Sequence, residues 1–240
     1  MFSRLLSFFD RNEYADCLAC GETYKKDRFA VLGGAKGICS ECQLRLPFVP
    51  VGQAFPERNN SLYSLSVFYY VPPVRELIID YKFNGCRAYG GIFAKYMTDI
   101  ARLLFYEDYG FNMLAPVPLS EERLMERGYN QAEILSSFMA EELGIAHSTR
   151  LIRKVKNTKR QSELTTLERS ENLRGAFSAD AGLAKGRSII LVDDVYTTGN
   201  TLRECASVLL EAGAEKVAAV TLARKGKSAK SREYYELFGM

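Results

Sequence analysis

The chain lacks several features that would place it quickly. It has no low-complexity tract, and its 240 residues are 47% hydrophobic and 25% charged, the composition of an ordinary folded protein rather than a disordered one. Uninterrupted apolar stretches such as Ile189–Val192 fall far short of the ~20 residues that cross a bilayer, so no membrane span is expected. The opening Met1–Phe9 has one basic residue and a broken apolar run before Asp10, a poor secretory signal, and a cytoplasmic location is expected. The net charge of +3 is too small to announce a nucleic-acid binder, because steering depends on clustered charge. No Gly-x4-Gly-Lys-Ser/Thr occurs and no Gly-x-Gly-x-x-Gly follows a strand, which disfavours P-loop ATPases and dinucleotide-binding dehydrogenases. The single histidine, His147, falls just after Gly144 and is expected to face solvent in a turn, not to catalyse.

What is present begins with cysteine. Four of the six fall as Cys17-x-x-Cys20 and Cys39-x-x-Cys42, with eighteen residues between the pairs. A two-residue spacer lets both thiolates of a pair turn toward one cation, and two pairs close a tetrahedral shell around structural Zn²⁺. Gly21 and Gly37 flank the pairs where tight turns form. Disulfides would suit an oxidising compartment rather than this chain, and an iron–sulfur cluster is the main rival. Cys86 and Cys205 stand alone, with Cys205 on the apolar face of an expected helix. Prolines and a glycine between Pro47 and Pro56 read as a linker, giving a zinc-ribbon-like module with its linker over 1–56 and a larger domain over 57–240.

The larger domain alternates strands and helices. Apolar residues recur every three or four positions from Tyr89 to Leu104, and Met113–Val117 reads as a strand. A second helix carries Ile134, Leu135, Phe138 and Met139 and closes at Gly144. Ser188–Val192, the stripe Leu202, Cys205, Ala206 and Leu209, and Val217–Leu222 form a βαβ unit. This pattern predicts an α/β fold, a parallel sheet with helices on both faces and ligands beyond the carboxyl ends of its strands.

After Ile189–Val192 come Asp193, Asp194, Val195, Tyr196, Thr197, Thr198, Gly199, Asn200 and Thr201, then a helix. Hydroxyls and close-approach amides at a helix N-terminus favour an anionic phosphate. Two carboxylates at the strand end suit vicinal sugar hydroxyls. Capping alone would explain some Asp and Thr here, but two acids plus Thr-Thr-Gly-x-Thr exceed what a cap requires.

Val192–Thr201 resembles the signature of type I phosphoribosyltransferases. Tyr81-Lys-Phe-Asn-Gly85, Arg127-Gly-Tyr-Asn-Gln131, Thr158-x-x-Gln161-x-x-Leu164, Arg169-x-x-Asn172 and Ala176-Phe177, with the four cysteines, are together similar to the ComF family of competence proteins. The resemblance covers the chain from Cys17 to about Arg224. It implies a type I phosphoribosyltransferase-like fold, 5-phosphoribosyl 1-pyrophosphate as ligand with Mg²⁺, and Asp193 and Asp194 as catalytic acids. It also implies a pyrophosphate loop at Pro116–Ser120 in which Pro118, Leu119 and Ser120 act with Arg127. Its physiological setting is DNA uptake in natural transformation, with single-stranded DNA and an uptake helicase as candidate partners.

Residues 150–175 hold eight cations against three glutamates. In phosphoribosyltransferases such a stretch is a hood that closes over the site, a role in which Lys159 and Gln161 would meet the departing pyrophosphate. The rival reading is a strip for single-stranded DNA, although aromatic rings for base stacking are missing from it. Arg224, Lys225, Lys227, Lys230 and Arg232 read as a solvated basic tail. Two function classes follow, a phosphoribosyltransferase and a non-catalytic DNA-handling factor that keeps a phosphosugar pocket. No acceptor pocket is legible.

Overall fold

The computed structural model describes residues 13–26, 31–33, 36–50, 62–102, 110–156, 173 and 175–226. The expectations for Met1–Phe9, for 51–56 of the linker, for Lys159 and Gln161 of the hood, and for the tail beyond residue 226 lie outside these residues.

The cysteine pairs sit on a small sheet made of β1 (Tyr14–Cys17), β2 (Thr23–Lys25), β3 (Val31–Gly33) and β4 (Lys36–Ile38), in the order β2-β1-β4-β3. The short helix α1 (Ser40–Leu44) follows, with Cys39 as its N-cap. Past it, Leu46 and Val49 join the core of the larger domain, and the Phe48 ring stacks 4.8 Å from that of Phe68 and 5.8 Å from that of Tyr96.

The larger domain is built on a five-stranded sheet of β5 (Tyr63–Tyr69), β6 (Met113–Pro116), β7 (Ala146–His147), β10 (Ser188–Tyr196) and β11 (Lys216–Arg224). The order is β5-β11-β10-β6-β7 and every pairing is parallel. A separate antiparallel pair, β8 (Ile152–Lys154) and β9 (Phe177–Ala179), lies beside it, and the short helix α6 (Ala181–Ala184) follows β9.

Helices α2 (Val74–Phe83), α3 (Tyr89–Ala101) and α5 (Gln131–Leu143) cover one face, and α7 (Asn200–Glu211) covers the other. The alternation of β10 makes the two cores: Ile190 and Val192 pack toward α3 and α5, Ile189 and Leu191 toward α7. Cys205 is fully buried in the α7 stripe, the packing role expected of it. Asn130 caps α5 by accepting from Ala132 N, and Gly144 ends it at φ 68°.

Two expectations are corrected. Strand β10 does not stop at Val192 but runs on to Tyr196, because β11 keeps pairing with it as far as Tyr196↔Arg224. On its other side β6 stops opposite Val192, so the sheet has a step there. His147 is not in an exposed turn: it is half-buried on β7 opposite Leu114, where its Nε2 lies 2.9 Å from Ser136 Oγ. Burial holds its imidazole below the ordinary value.

Candidate functional site

The step in the sheet opens a cleft of about 260 Å³ at the carboxyl ends of β6 and β10. The connection leaving β6 runs to α5 on one face and that leaving β10 runs to α7 on the other. This reversal is the crevice in which open parallel sheets hold ligands.

The β10 side supplies Asp193, Asp194, Val195, Tyr196, Thr197, Gly199 and Thr201 to the lining. Gly199 is the N-cap of α7 at φ 75° and offers no side-chain cap, so the start of a twelve-residue helix stands beside the cleft without a capping side chain. A side chain at Gly199 has no room, since a Cβ there would lie 2.5 Å from the Tyr196 hydroxyl oxygen. Thr198 and Asn200 are not in the lining: the Thr198 carbonyl and Asn200 Oδ1 both accept from Arg203 Nη2, fastening the loop from behind.

The β6 side supplies Val117, Pro118, Leu119 and Ser120. Ser120 caps a helix absent from the sequence reading, α4 (Glu121–Arg127), by accepting from Arg123 N. Arg123 and Arg127 stand on α4 and reach the cleft. Arg127 donates from Nη1 to Gln131 Oε1 at 2.9 Å and lies 4.9 Å from the centre of the Phe83 ring. Burial pulls its guanidinium below the ordinary value, while Asp194 acts in the opposite sense.

The two acids face opposite layers, as consecutive strand residues must. Asp194 is nearly buried on the α2 side, its Oδ1 2.8 Å from Lys82 Nζ. Asp193 accepts from Asp194 N at 2.9 Å. Burial first, and the Asp194 charge second, push the Asp193 carboxyl up to about 7 against the pull of Lys82 and Arg127. Asp193 in turn raises the Cys205 thiol behind it, after burial.

Lys82, Lys154, Lys225, Tyr70 and Phe177 also line the cleft, and nothing in the sequence singles them out for it. Lys225 was read as part of a solvated tail. It follows β11 directly, its N–H donates to the Tyr196 carbonyl at 2.9 Å and its ammonium lies 5.7 Å from the Tyr70 ring, so the cleft begins where the tail was placed. Tyr70 and Lys225 each follow a parallel strand, a position that strand order alone would have flagged.

Lys82 is placed by two of the sequence motifs together. The Tyr129 hydroxyl donates to the Tyr81 carbonyl, the Tyr81 hydroxyl donates to the Gln131 carbonyl at 3.0 Å, and Gln131 Nε2 donates to the Lys82 carbonyl at 3.4 Å. Segments 81–85 and 127–131 thus interlock behind the cleft and aim Lys82 at Asp194.

Among the described residues, five cations, Lys82, Arg123, Arg127, Lys154 and Lys225, face two carboxylates. Burial and the neighbouring Arg123 lower the Lys154 ammonium, a sign of like charges held together. Such a cleft suits a polyanionic ligand. It is a poor fit for a divalent cation held by the acids, since Asp194 already carries the Lys82 ammonium and the surroundings are positive.

The four cysteines do fit a metal. Their sulfurs all lie within 4.8 Å of one another, near the ~3.8 Å edge of a tetrahedron with Zn–S bonds of about 2.3 Å. Cys17 Sγ accepts from Cys39 N and Cys39 Sγ from Cys42 N, both at 3.4 Å. Burial pushes the Cys17 thiol up, but hydrogen bonds from the Cys39, Cys20 and Ala19 amides outweigh it and bring the thiol to about 7. The site could hold a structural zinc, with Cys17, Cys20, Cys39 and Cys42 as ligands.

The parallel sheet, the helices on both faces and the loop from β10 to α7 define a phosphoribosyltransferase-like protein, and the phosphoribosyl transferase domain model matches residues 129–240. Competence protein F of Haemophilus influenzae is 29% identical over 78% of the chain and 90% of its own length. The DNA utilization protein YhgH of Salmonella typhimurium is 30% identical over 78% of the chain and 84% of its own length. The glutamine phosphoribosylpyrophosphate amidotransferase of B. subtilis, solved with ADP and GMP, is 20% identical with a TM-score of 0.35 over 54% of this chain, which spans only 26% of that one. The chain belongs to the ComF family, alongside competence protein F and YhgH.

Proposed function

We propose that the cleft binds 5-phosphoribosyl 1-pyrophosphate and transfers its phosphoribosyl group to an acceptor with release of pyrophosphate, in a cytoplasmic role tied to DNA uptake or utilization. The observation that carries the reading is the Gly199 start of α7 bordering the same cleft as two strand-end acids and five cations.

In this reading the 5-phosphate accepts from the amides and hydroxyls of Thr197–Thr201, as anions do at helix N-termini. The pyrophosphate lies toward Pro118–Ser120, where Arg123 and Arg127 meet its charge. An acceptor displaces it at C1 of the ribose: the bond to the acceptor forms, the C1–O bond breaks and the electron pair leaves with pyrophosphate. Positive charge develops on the sugar, and Asp194, held by Lys82, stabilises it from close range. Asp193 receives a ribose hydroxyl. Lys159 and Gln161 would close the site from the hood. The family supports the DNA setting, since its members include a competence protein and a DNA utilization protein.

Calorimetric titration with 5-phosphoribosyl 1-pyrophosphate and Mg²⁺, on the wild type and on Asp193→Asn, Asp194→Asn, tests the reading. Binding in the wild type that is lost in the variant supports it. A wild type that takes no ligand overturns it, and single-stranded DNA then becomes the probe to titrate, with a steep salt dependence as its mark.

A further inference from the structure

Divalent metal normally accompanies a pyrophosphate into a pocket with carboxylates, taking one or two of them as ligands. The cleft is arranged otherwise. Lys82 Nζ lies 2.8 Å from Asp194 Oδ1, and neither side chain is more than 15% exposed. The backbone from which Lys82 reaches Asp194 is tied through Gln131, and its turn through Tyr81 and Tyr129. A metal ion approaching Asp194 would have to displace that ammonium and then sit among Arg123, Arg127, Lys154 and Lys225. Like charges at such range in a partly desolvated cleft repel strongly.

We propose that Lys82 stands at Asp194 in place of a divalent cation, so that the cleft takes its pyrophosphate-bearing sugar without metal. The inference rests on the ligand reading above and deepens it by naming the counter-charge. Lys82 supplies the counter-charge to Asp194 and fixes where its carboxylate points, and the other four cations neutralise the phosphates that a metal would otherwise screen. Lys82 is a positioning residue here: it acts through Asp194.

The test is calorimetry with 5-phosphoribosyl 1-pyrophosphate in EDTA and, separately, in Mg²⁺. Wild-type affinity in EDTA is expected within about threefold of that in Mg²⁺. Lys82→Met should bind at least about tenfold more weakly in EDTA, since truncating one partner leaves a buried charge unpaired. Mg²⁺ should restore much of that loss by entering the vacated position, and Lys82→Arg should bind in EDTA like the wild type. Wild-type binding that appears only with Mg²⁺ would overturn the inference and leave the ligand reading intact. So would a Lys82→Met variant that binds in EDTA as well as the parent. No binding by the wild type in either buffer would overturn both. The wild-type arms decide the matter even if Lys82→Met folds poorly.

Discussion

Gly199→Ala tests whether the loop between β10 and α7 is held as tightly as its geometry implies. Two penalties add. At φ 75° a Cβ is strained, by about 1–2 kcal/mol. The new methyl would also lie 2.5 Å from Oη, 2.7 Å from Cζ and 2.9 Å from Cε2 of Tyr196. Because several ring atoms are too close at once, a small rotation does not relieve the overlap and the ring must move, at a further cost of about 1–3 kcal/mol. Urea denaturation should therefore show a total loss of roughly 2–5 kcal/mol. In a Tyr196→Ala background the ring is gone, and the same substitution should cost only the backbone share of about 1–2 kcal/mol. Equal losses in the two backgrounds would refute the packing argument, and a loss below about 0.5 kcal/mol in the parent would refute the backbone argument as well.

Two further predictions concern pH and metal. The Asp193 carboxyl stands at about 7 in the fold against 3.8 as its ordinary value, so between those values the folded chain binds the extra proton and its stability falls as pH rises, levelling off above 7. Asp193→Asn lacks this slope: it should match the parent near pH 4 and exceed it at pH 8 by something on the order of 2–4 kcal/mol, while losing ligand binding. Thermal melts across that range check it, and parallel curves for the two proteins would contradict it. Stripping metal from the four cysteines should lower the melting temperature of the whole chain in one transition, because Leu46, Phe48 and Val49 pack into the α/β core. A separate early transition that leaves the main melt unmoved would show the module to be independent.

The parts of this fold that could be read from sequence are those whose signal is local. Cysteine spacing is set by reach to one ion, and the stripes of α3, α5 and α7 repeat within a single helix. Strand β5 does not read as a strand because its buried positions include Ser64 and Ser66, and the latter pairs with Thr221 of β11, 2.7 Å away. Helix α4 is only seven residues long and buries none of them, and its cap, Ser120, also reads as part of the pyrophosphate loop. The extent of β10 depends on where β11 ends, which is a fact about another segment. Lys82 is the clearest case. Its motif was visible, but its purpose is fixed by Tyr129 and Gln131, some fifty residues on, and by an acid beyond a hundred.

The alternation along β10 has one more consequence. Asp193 is set by the layer containing α7 and Asp194 by the layer containing α2 and α5, so a molecule that grips both carboxylates ties together the slabs on the two faces of the sheet. Occupancy of the cleft should thus be felt as shared stiffness, with amide exchange slowing in α7 and in α5 at once.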